Sequence, residues 1–409
     1  MSQARISKDA LERMRAERSA RFLLTGGTGF LGSHVAAELL RKGFRVTLLA
    51  RGAVGLTAEA RVGRLFDWFG LPAESRRGLR VVEANITRAG LGVEPALIRE
   101  LSRETDEIIH CASNTSFSER KRGEVAAVNA DGLSHVLAFA RASGARFFHH
   151  VSTAYVAGKT EGPCPEAPKT PPPRGFHNVY EETKWRGEWL AAEACGEAGL
   201  GLAIYRPSIV YGDSRTGRSL LFNAVYYPVR TAVFLKDLYE KDIRERDGKR
   251  AAEMGVHIEP DGTTRLPLRV ETAGRGGINL IPVDFFTAAF FALLEAAPQG
   301  GVFHIVNGRT KSIEDIADYT CRFFRLSGIR TCAPEEFAAT PKNPLEQLYD
   351  HYVEAYGPYM KDTRFFETSR SGPILERRGI LCPEFDYDVF SRCMAYAVQT
   401  GWGTRLFDS

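Results

Sequence analysis

RFLLTGGTGFLGSHVAAELL (residues 21–40) runs an apolar stretch into a helical pattern through Gly26, Gly29 and Gly32, spaced G-x-x-G-x-x-G. Each glycine has a mechanical reason in a strand-to-helix turn: a tight bend, close backbone approach to a pyrophosphate, and close packing of helix on strand. Thr28, Phe30 and Leu31 complete the turn and open the helix, whose free N–H groups and positive dipole end suit phosphate. The stretch therefore predicts the first βαβ unit of a dinucleotide-binding fold.

Outward from there the chain alternates. Apolar runs at 45–50, 79–84, 107–112, 146–153 and 202–210 are separated by helical patterns that include 33–43, 125–143 and 182–194. This rhythm predicts an α/β fold, a Rossmann-type doubly wound parallel sheet with both faces covered. After Gly212 the rhythm breaks into mixed polar, basic and aromatic segments, among them LLFNAVYYPVRTAVF (220–234) and KDIRERDGKR (241–250). It resumes at 279–324, where Ser312 and Asp315 form an N-terminal capping pattern. The expected division is a charged helical arm at 1–20, the dinucleotide domain at 21–212, a substrate-binding insertion at 213–280, a return to the first domain at 281–330, and a substrate or lid region at 331–409. The insertion and the tail together would form a smaller region over the carboxyl edge of the sheet, where open α/β sheets bind ligands. A proline-rich turn marks 168–175.

Composition narrows the class. The 409 residues are 44% hydrophobic and 25% charged, with a formal net charge of +4, too balanced for nucleic acid as the main partner. No apolar run approaches the ~18 residues of a spanning helix. The first twenty residues lack the apolar core of a secretory signal. Seven scattered cysteines give neither a disulfide framework nor a CxxC pair, and no His/Cys/Asp spacing matches a metal site. A soluble, reduced, cytoplasmic protein is expected.

Two further patterns carry chemistry. The second apolar run ends at Arg51, where an NAD-binding fold usually has an acidic residue for the ribose 2′-hydroxyl; Arg51, with Arg61 ten residues on, suits a 2′-phosphate and so NADPH. The run at 146–153 ends in Ser152-Thr153, and a loop later comes Tyr180-x-x-x-Lys184 at the start of a helical pattern, with both side chains on one face. An ammonium one turn from a phenol stabilises the phenolate. Lys184 is also placed to hold the nicotinamide ribose, and Thr153 to bond the reacting oxygen beside Tyr180. Cys111, at a strand end beside the glycine loop, is read as a buried structural thiol in preference to an acyl carrier. His149 and His150 are read as strand residues facing opposite sides of the sheet.

The pieces TGGTGFLG (25–32), IIHCAS (108–113), VNADG (128–132), HVSTAYVAG (150–158), YEETK (180–184) and YRPSIVYG (205–212) resemble the extended short-chain dehydrogenase/reductase superfamily. Within it, HCASNTSF (110–117) and NLIPVDFF (279–286) make the chain most similar to the fatty acyl reductase and male sterility group, related to the thioester reductase domains of carboxylic acid reductases and peptide synthetases. The resemblance spans about residues 20–325. It implies that Thr153 polarises the reacting oxygen, Tyr180 donates the proton, Lys184 clamps the ribose and lowers the tyrosine pKa, and Asn129 supports the active-site helix. Pro207 and Ile209 would line the nicotinamide pocket, and Ala112 would lie against the cofactor. Where the family shows Asp before an apolar residue near the adenine, this chain has Asn85-Ile86. The implied activity is NADPH-dependent reduction of an acyl thioester, on coenzyme A or an acyl-carrier protein, to the aldehyde and conceivably the alcohol. Long acyl chains are the first expectation, because of the apolar insertion. The same triad also serves 3-oxoacyl and hydroxysteroid-like dehydrogenases and nucleotide-sugar epimerases or dehydratases; a non-enzymatic NADPH-binding scaffold fits the intact triad less well. Peripheral membrane contact, carrier docking at 241–250 and a homodimer are left open.

Overall fold

The computed structural model describes residues 8–167, 174–272 and 277–407, with side chains from residue 12 onward. The first seven residues of the expected arm and most of the proline-rich turn lie outside these. Seven parallel strands form the main sheet: β1 (Arg21–Thr25), β2 (Arg45–Ala50), β3 (Leu79–Glu83), β4 (Glu107–His110), β5 (Phe147–Val151), β6 (Gly201–Pro207) and β7 (Gly301–Ile305). Their order is β7-β6-β5-β4-β1-β2-β3. Helices cover both faces, so the strands read as nearly continuous apolar runs; Phe22, Leu23, Leu24, Ile108, Ile109, Phe147 and Phe148 are all buried. The expected α/β doubly wound sheet is present. The strand order reverses at β1, which lies between β2 and β4, in register Thr25 to Leu49 and Thr25 to His110. Such a reversal opens a crevice at the carboxyl ends of the two strands.

The amino-terminal helix α1 (Lys8–Ala16) is fastened beneath this sheet. The Arg15 guanidinium donates to both Glu107 carboxylate oxygens, at 2.7 and 2.6 Å, and to the Leu294 carbonyl at 2.8 Å. His149 Nε2 meets the same carboxylate at 2.7 Å, and its Nδ1 meets the Tyr205 hydroxyl at 3.0 Å. Helix α1 is thus clasped to the sheet through Arg15.

Two contact-dense units divide the chain. The first runs to Ser208 and takes in Val283–Val306 and Phe366–Leu381; the second holds Ile209–Pro282, Asn307–Phe365 and the chain from Cys382. This differs from the boundaries read from sequence at two places, each for a packing reason. Residues 307–330 fall with the second unit, because strand Leu326–Cys332 pairs in parallel with Thr264–Glu271. Phe366–Leu381 falls with the first, because the Glu166 carboxylate there accepts the backbone N–H groups of His304, Arg370 and Ser371 at 2.6, 2.6 and 3.1 Å. In the second unit Ser312 caps helix Ile313–Phe324, its hydroxyl accepting from the Asp315 N–H at 3.0 Å. The 220–234 stretch feeds the buried face of helix Tyr226–Glu245, where Tyr226, Val229 and Leu235 are core residues. A small apolar cavity of about 50 Å³ lies among Val229, Leu268, Ile278, Ile316, Tyr349 and Met360.

Candidate active site

The glycine turn sits where the strand order reverses. Gly26 has φ +74°, the left-handed region that favours glycine, and a Cβ there would collide with the backbone of Ala112 in the loop after β4. A Cβ on Gly32 would strike the Gly26 carbonyl. The turn and the β4 loop thus approach more closely than any other residue type allows. Helix α2 (Phe30–Arg41) begins at Gly29, and no side chain caps its first N–H groups, so Phe30, Leu31 and Gly32 present an uncapped helix start of the kind anions occupy.

A cleft of about 230 Å³ opens beside this turn. Its lining includes Gly26, Thr28, Gly29, Arg51, Arg61, Asn85, Ile86, Cys111 and Ala112. Residues predicted separately for phosphate, 2′-phosphate and adenine therefore share one wall, and Thr87 and Val128, not singled out from sequence, join them. Arg61 donates to the Arg51 carbonyl at 3.2 Å. Burial and then the Arg51 charge draw the Arg61 guanidinium below its ordinary pKa. Two crowded like charges at the rim of a cleft are relieved by an anion. Asn85 Oδ1 accepts from the Thr87 N–H and hydroxyl at 3.1 and 2.9 Å, so Nδ2 is the end of the amide left to meet a ligand. These residues fit a nicotinamide dinucleotide.

The second half of the site comes from β5 and helix α3 (Val179–Ala198). Asn178 caps that helix, its side chain accepting from the Glu181 N–H at 3.1 Å, so Tyr180 stands in the first turn and Lys184 one turn further on. Thr153 lies two residues past the end of β5. Its hydroxyl donates to the Pro207 carbonyl at 3.4 Å and accepts from the Tyr155 N–H at 3.3 Å, and it lies near enough to the Tyr180 phenol to act on it. Lys184 is buried and donates to the Val151 carbonyl at 2.7 Å. Asn129 lies in a π-helical turn, Ala127–Gly132, a distortion often found at functional sites. Its Oδ1 accepts from Asn114 N–H at 2.7 Å and Ser113 hydroxyl at 3.1 Å; its Nδ2 donates to Asn114 carbonyl and Thr183 hydroxyl, both at 3.0 Å. Asn129 thereby links the β4 loop to α3. Pro207 closes β6, whereas Ile209 opens strand Ile209–Tyr211 of the second unit.

Electrostatics departs from the simple expectation in one respect. Burial pushes the Tyr180 phenol up to about 12, against the opposing pull of the nearby Thr153 hydroxyl, so the phenol is not lowered. Burial brings Lys184 down to about 8, with Glu188 and Cys111 acting the other way. Cys111 is pushed up to about 12 by burial and is a thiol at neutral pH, which removes it as a ready nucleophile. Ser113, which lines the cleft, donates to Asn129, and Asn129 donates to Thr183, the residue before Lys184, so hydrogen bonds join the cleft wall to α3. Ser113, Asn114, Ser152, Glu188 and Arg206 also join the network; HCASNTSF holds Ser113 and Asn114, HVSTAYVAG holds Ser152 and YRPSIVYG holds Arg206, but none of these was singled out, and Glu188 stood only within a helical pattern.

Among the described residues there is no group of His, Cys, Asp and Glu able to hold a metal ion and no helix long and apolar enough to cross a membrane. Residues 24–289 match the model of the male sterility protein family, an NAD-binding family. The isonitrile lipopeptide synthase of Streptomyces coeruleorubidus is 31% identical over 231 residues, which is 54% of this chain and 15% of that synthase. The terminal R domain from the myxalamid PKS-NRPS pathway shares the fold with a TM-score of 0.72 at 22% identity, over 94% of this chain and 91% of that one. A thiolation-reductase di-domain from an archaeal non-ribosomal peptide synthetase does so with a TM-score of 0.69 at 18% identity, over 94% and 76%. The family match covers the glycine turn and both halves of the site: this chain belongs to the male sterility protein family of NAD-binding domains, within the extended short-chain dehydrogenase/reductase superfamily.

Proposed function

We propose that the protein is an NADPH-dependent reductase of acyl thioesters that releases an aldehyde. The observation that carries this reading is Thr153 just past β5 with Tyr180 and buried Lys184 in the first turns of α3, a helix joined through Asn129 and Ser113 to a phosphate-suited cleft. When bound, the reduced nicotinamide supplies the hydride. Gly26, Thr28 and Gly29 with the start of α2 hold the pyrophosphate, Arg51 and Arg61 the 2′-phosphate, and Lys184 the nicotinamide ribose. Thr153 and Tyr180 direct their hydroxyls at the thioester carbonyl oxygen and stabilise the charge that develops there. A phenol near 12 is fully protonated at neutral pH. It serves the reductive direction as a proton donor, with no phenolate required. The tetrahedral adduct then loses its C–S bond: its hydroxyl returns the proton to the Tyr180 oxygen as the carbonyl reforms as the aldehyde, and the sulfur takes a proton from solvent and leaves as the thiol.

The likeness to a lipopeptide synthase and to reductase domains of peptide synthetases favours a substrate tethered to a carrier protein, and an acyl-CoA is the free equivalent. Lys241 and Arg244, exposed on the last turns of helix Tyr226–Glu245, are candidates to meet an acidic carrier. The test is anaerobic incubation with NADPH and panels of acyl-CoA and acyl-carrier thioesters of varied chain length, following NADPH consumption and identifying products. Aldehyde and free thiol formed in step with NADPH loss are expected. NADPH binding without consumption across both panels refutes the proposal and points to a cofactor-binding scaffold.

A further inference from the structure

Below the triad lies a second buried cluster. The Glu188 carboxylate accepts from the Ser152 hydroxyl at 2.6 Å and from Arg206 Nε at 2.9 Å through Oε1, and from Arg206 Nη2 at 2.7 Å through Oε2. The same guanidinium reaches the Pro165 and Ala167 carbonyls, both at 3.3 Å. Ser152, Glu188 and Arg206 are all buried. Each neighbours a residue of the site along the chain: Ser152 precedes Thr153, Glu188 follows Lys184 by one helical turn, and Arg206 precedes Pro207, whose carbonyl accepts from Thr153 at 3.4 Å.

We propose that Glu188 is a positioning residue: its carboxylate ties together the three segments that carry Thr153, Lys184 and Pro207, and sets a buried negative charge one helical turn from buried Lys184. The catalytic consequence rests on the reductase reading; the charge does not. A buried Glu–Arg pair adds little net stability over an apolar pair of the same volume, so its contribution here is geometry and charge placement. Several groups act on Lys184 from the elements around it. His110 on β4 and His150 on β5 are buried and kept neutral by desolvation and by the lysine itself. Cys111, from the loop after β4, is a thiol. Glu188 comes directly after burial among the influences on Lys184 and opposes it. Without it, Lys184 would face desolvation and an uncompensated Arg206.

The test reads Lys184 directly. In protein carrying 13Cε-lysine, the Lys184 signal is assigned by its loss in Lys184→Arg and titrated by NMR in wild type, Glu188→Gln and Glu188→Asp. Removing the charge should lower the Lys184 midpoint by about one unit or more, while the shorter carboxylate keeps it close to wild type. An unmoved midpoint in Glu188→Gln overturns the charge role, and equal lowering in both variants assigns the effect to packing and overturns it as well. This arm gives its answer even if no thioester is reduced, so its failure is separate from failure of the proposed function. In turnover, Ser152→Ala and Glu188→Asp should lower kcat about ten- to a hundredfold with KM for NADPH within a few fold, as misplaced hydroxyls do. Unchanged kcat in both overturns the positioning role. If Glu188→Gln fails to fold, these two variants carry the test.

Discussion

A hydroxyl that donates a proton and an amine that orients a sugar place different demands on pH, and Tyr180 and Lys184 separate them. With the phenol near 12 and the amine near 8, rising pH first removes the ammonium. Activity is therefore expected to fall as pH climbs through about 8, and the loss should appear in KM for NADPH before kcat, as pH profiles of the two constants will show. Tyr180→Phe should lower kcat by about 10²–10⁴ while NADPH affinity, measured by fluorescence titration, stays within a few fold. Arg51→Asp should weaken NADPH far more than NADH; equal weakening would refute the 2′-phosphate assignment. Gly26→Ala forces a side chain onto the Ala112 backbone at positive φ, and should abolish cofactor binding or lower the melting temperature by several degrees. Much of this was readable in advance, because the glycine turn and Tyr-x-x-x-Lys are local spacings that encode local geometry. The tyrosine pKa was not: its direction depends on how much water the folded site excludes, and no residue spacing records that.

At the level of elements, the helices act through their ends. Helix α3 starts where Asn178 caps it, and that start sets Tyr180 in the first turn beside Thr153. Helix α1 works through Arg15 near its end. Arg15→Ala would leave Glu107 buried against His149 without its guanidinium, and removing one partner of such a pair costs about 3–5 kcal/mol. Urea unfolding should show that loss without a change in the residues that line the cofactor cleft. Arg15 and Glu107 are ninety-two positions apart. The charged pattern of residues 6–20 therefore permitted a clasp, an oligomer contact or a surface arm alike, and only folding selects among them. Glu188 was hidden differently. It lay inside a predicted helix, but its partners Ser152 and Arg206 belong to other segments, so nothing near it in sequence marked it as buried.

For the whole molecule, buried neutral histidines set the response to acid. His110 is brought down to about 3 and His304 to about 4 by burial, and His150, with neither ring nitrogen hydrogen-bonded, lies well below the ordinary 6.5 as well. In the unfolded chain these imidazoles take up protons near 6.5, so below that pH the unfolded state binds more protons than the folded one. Stability should fall as pH drops from about 6.5 towards 4, and His150→Phe should flatten part of that slope in thermal melts recorded across the range. The glycine turn and the parallel sheet were legible from sequence, whereas the interleaving of the two units was not, since it depends on pairings between segments far apart. That interleaving bears on how the polypeptide matures. Glu166 waits for amide hydrogens contributed by His304, Arg370 and Ser371. A ribosome must therefore translate some two hundred further codons before this acceptor is satisfied, and no single cut releases either half intact. Anyone wishing to excise the nucleotide-binding portion would have to splice three stretches, and the nascent chain should stay protease-sensitive until Phe366–Leu381 has emerged.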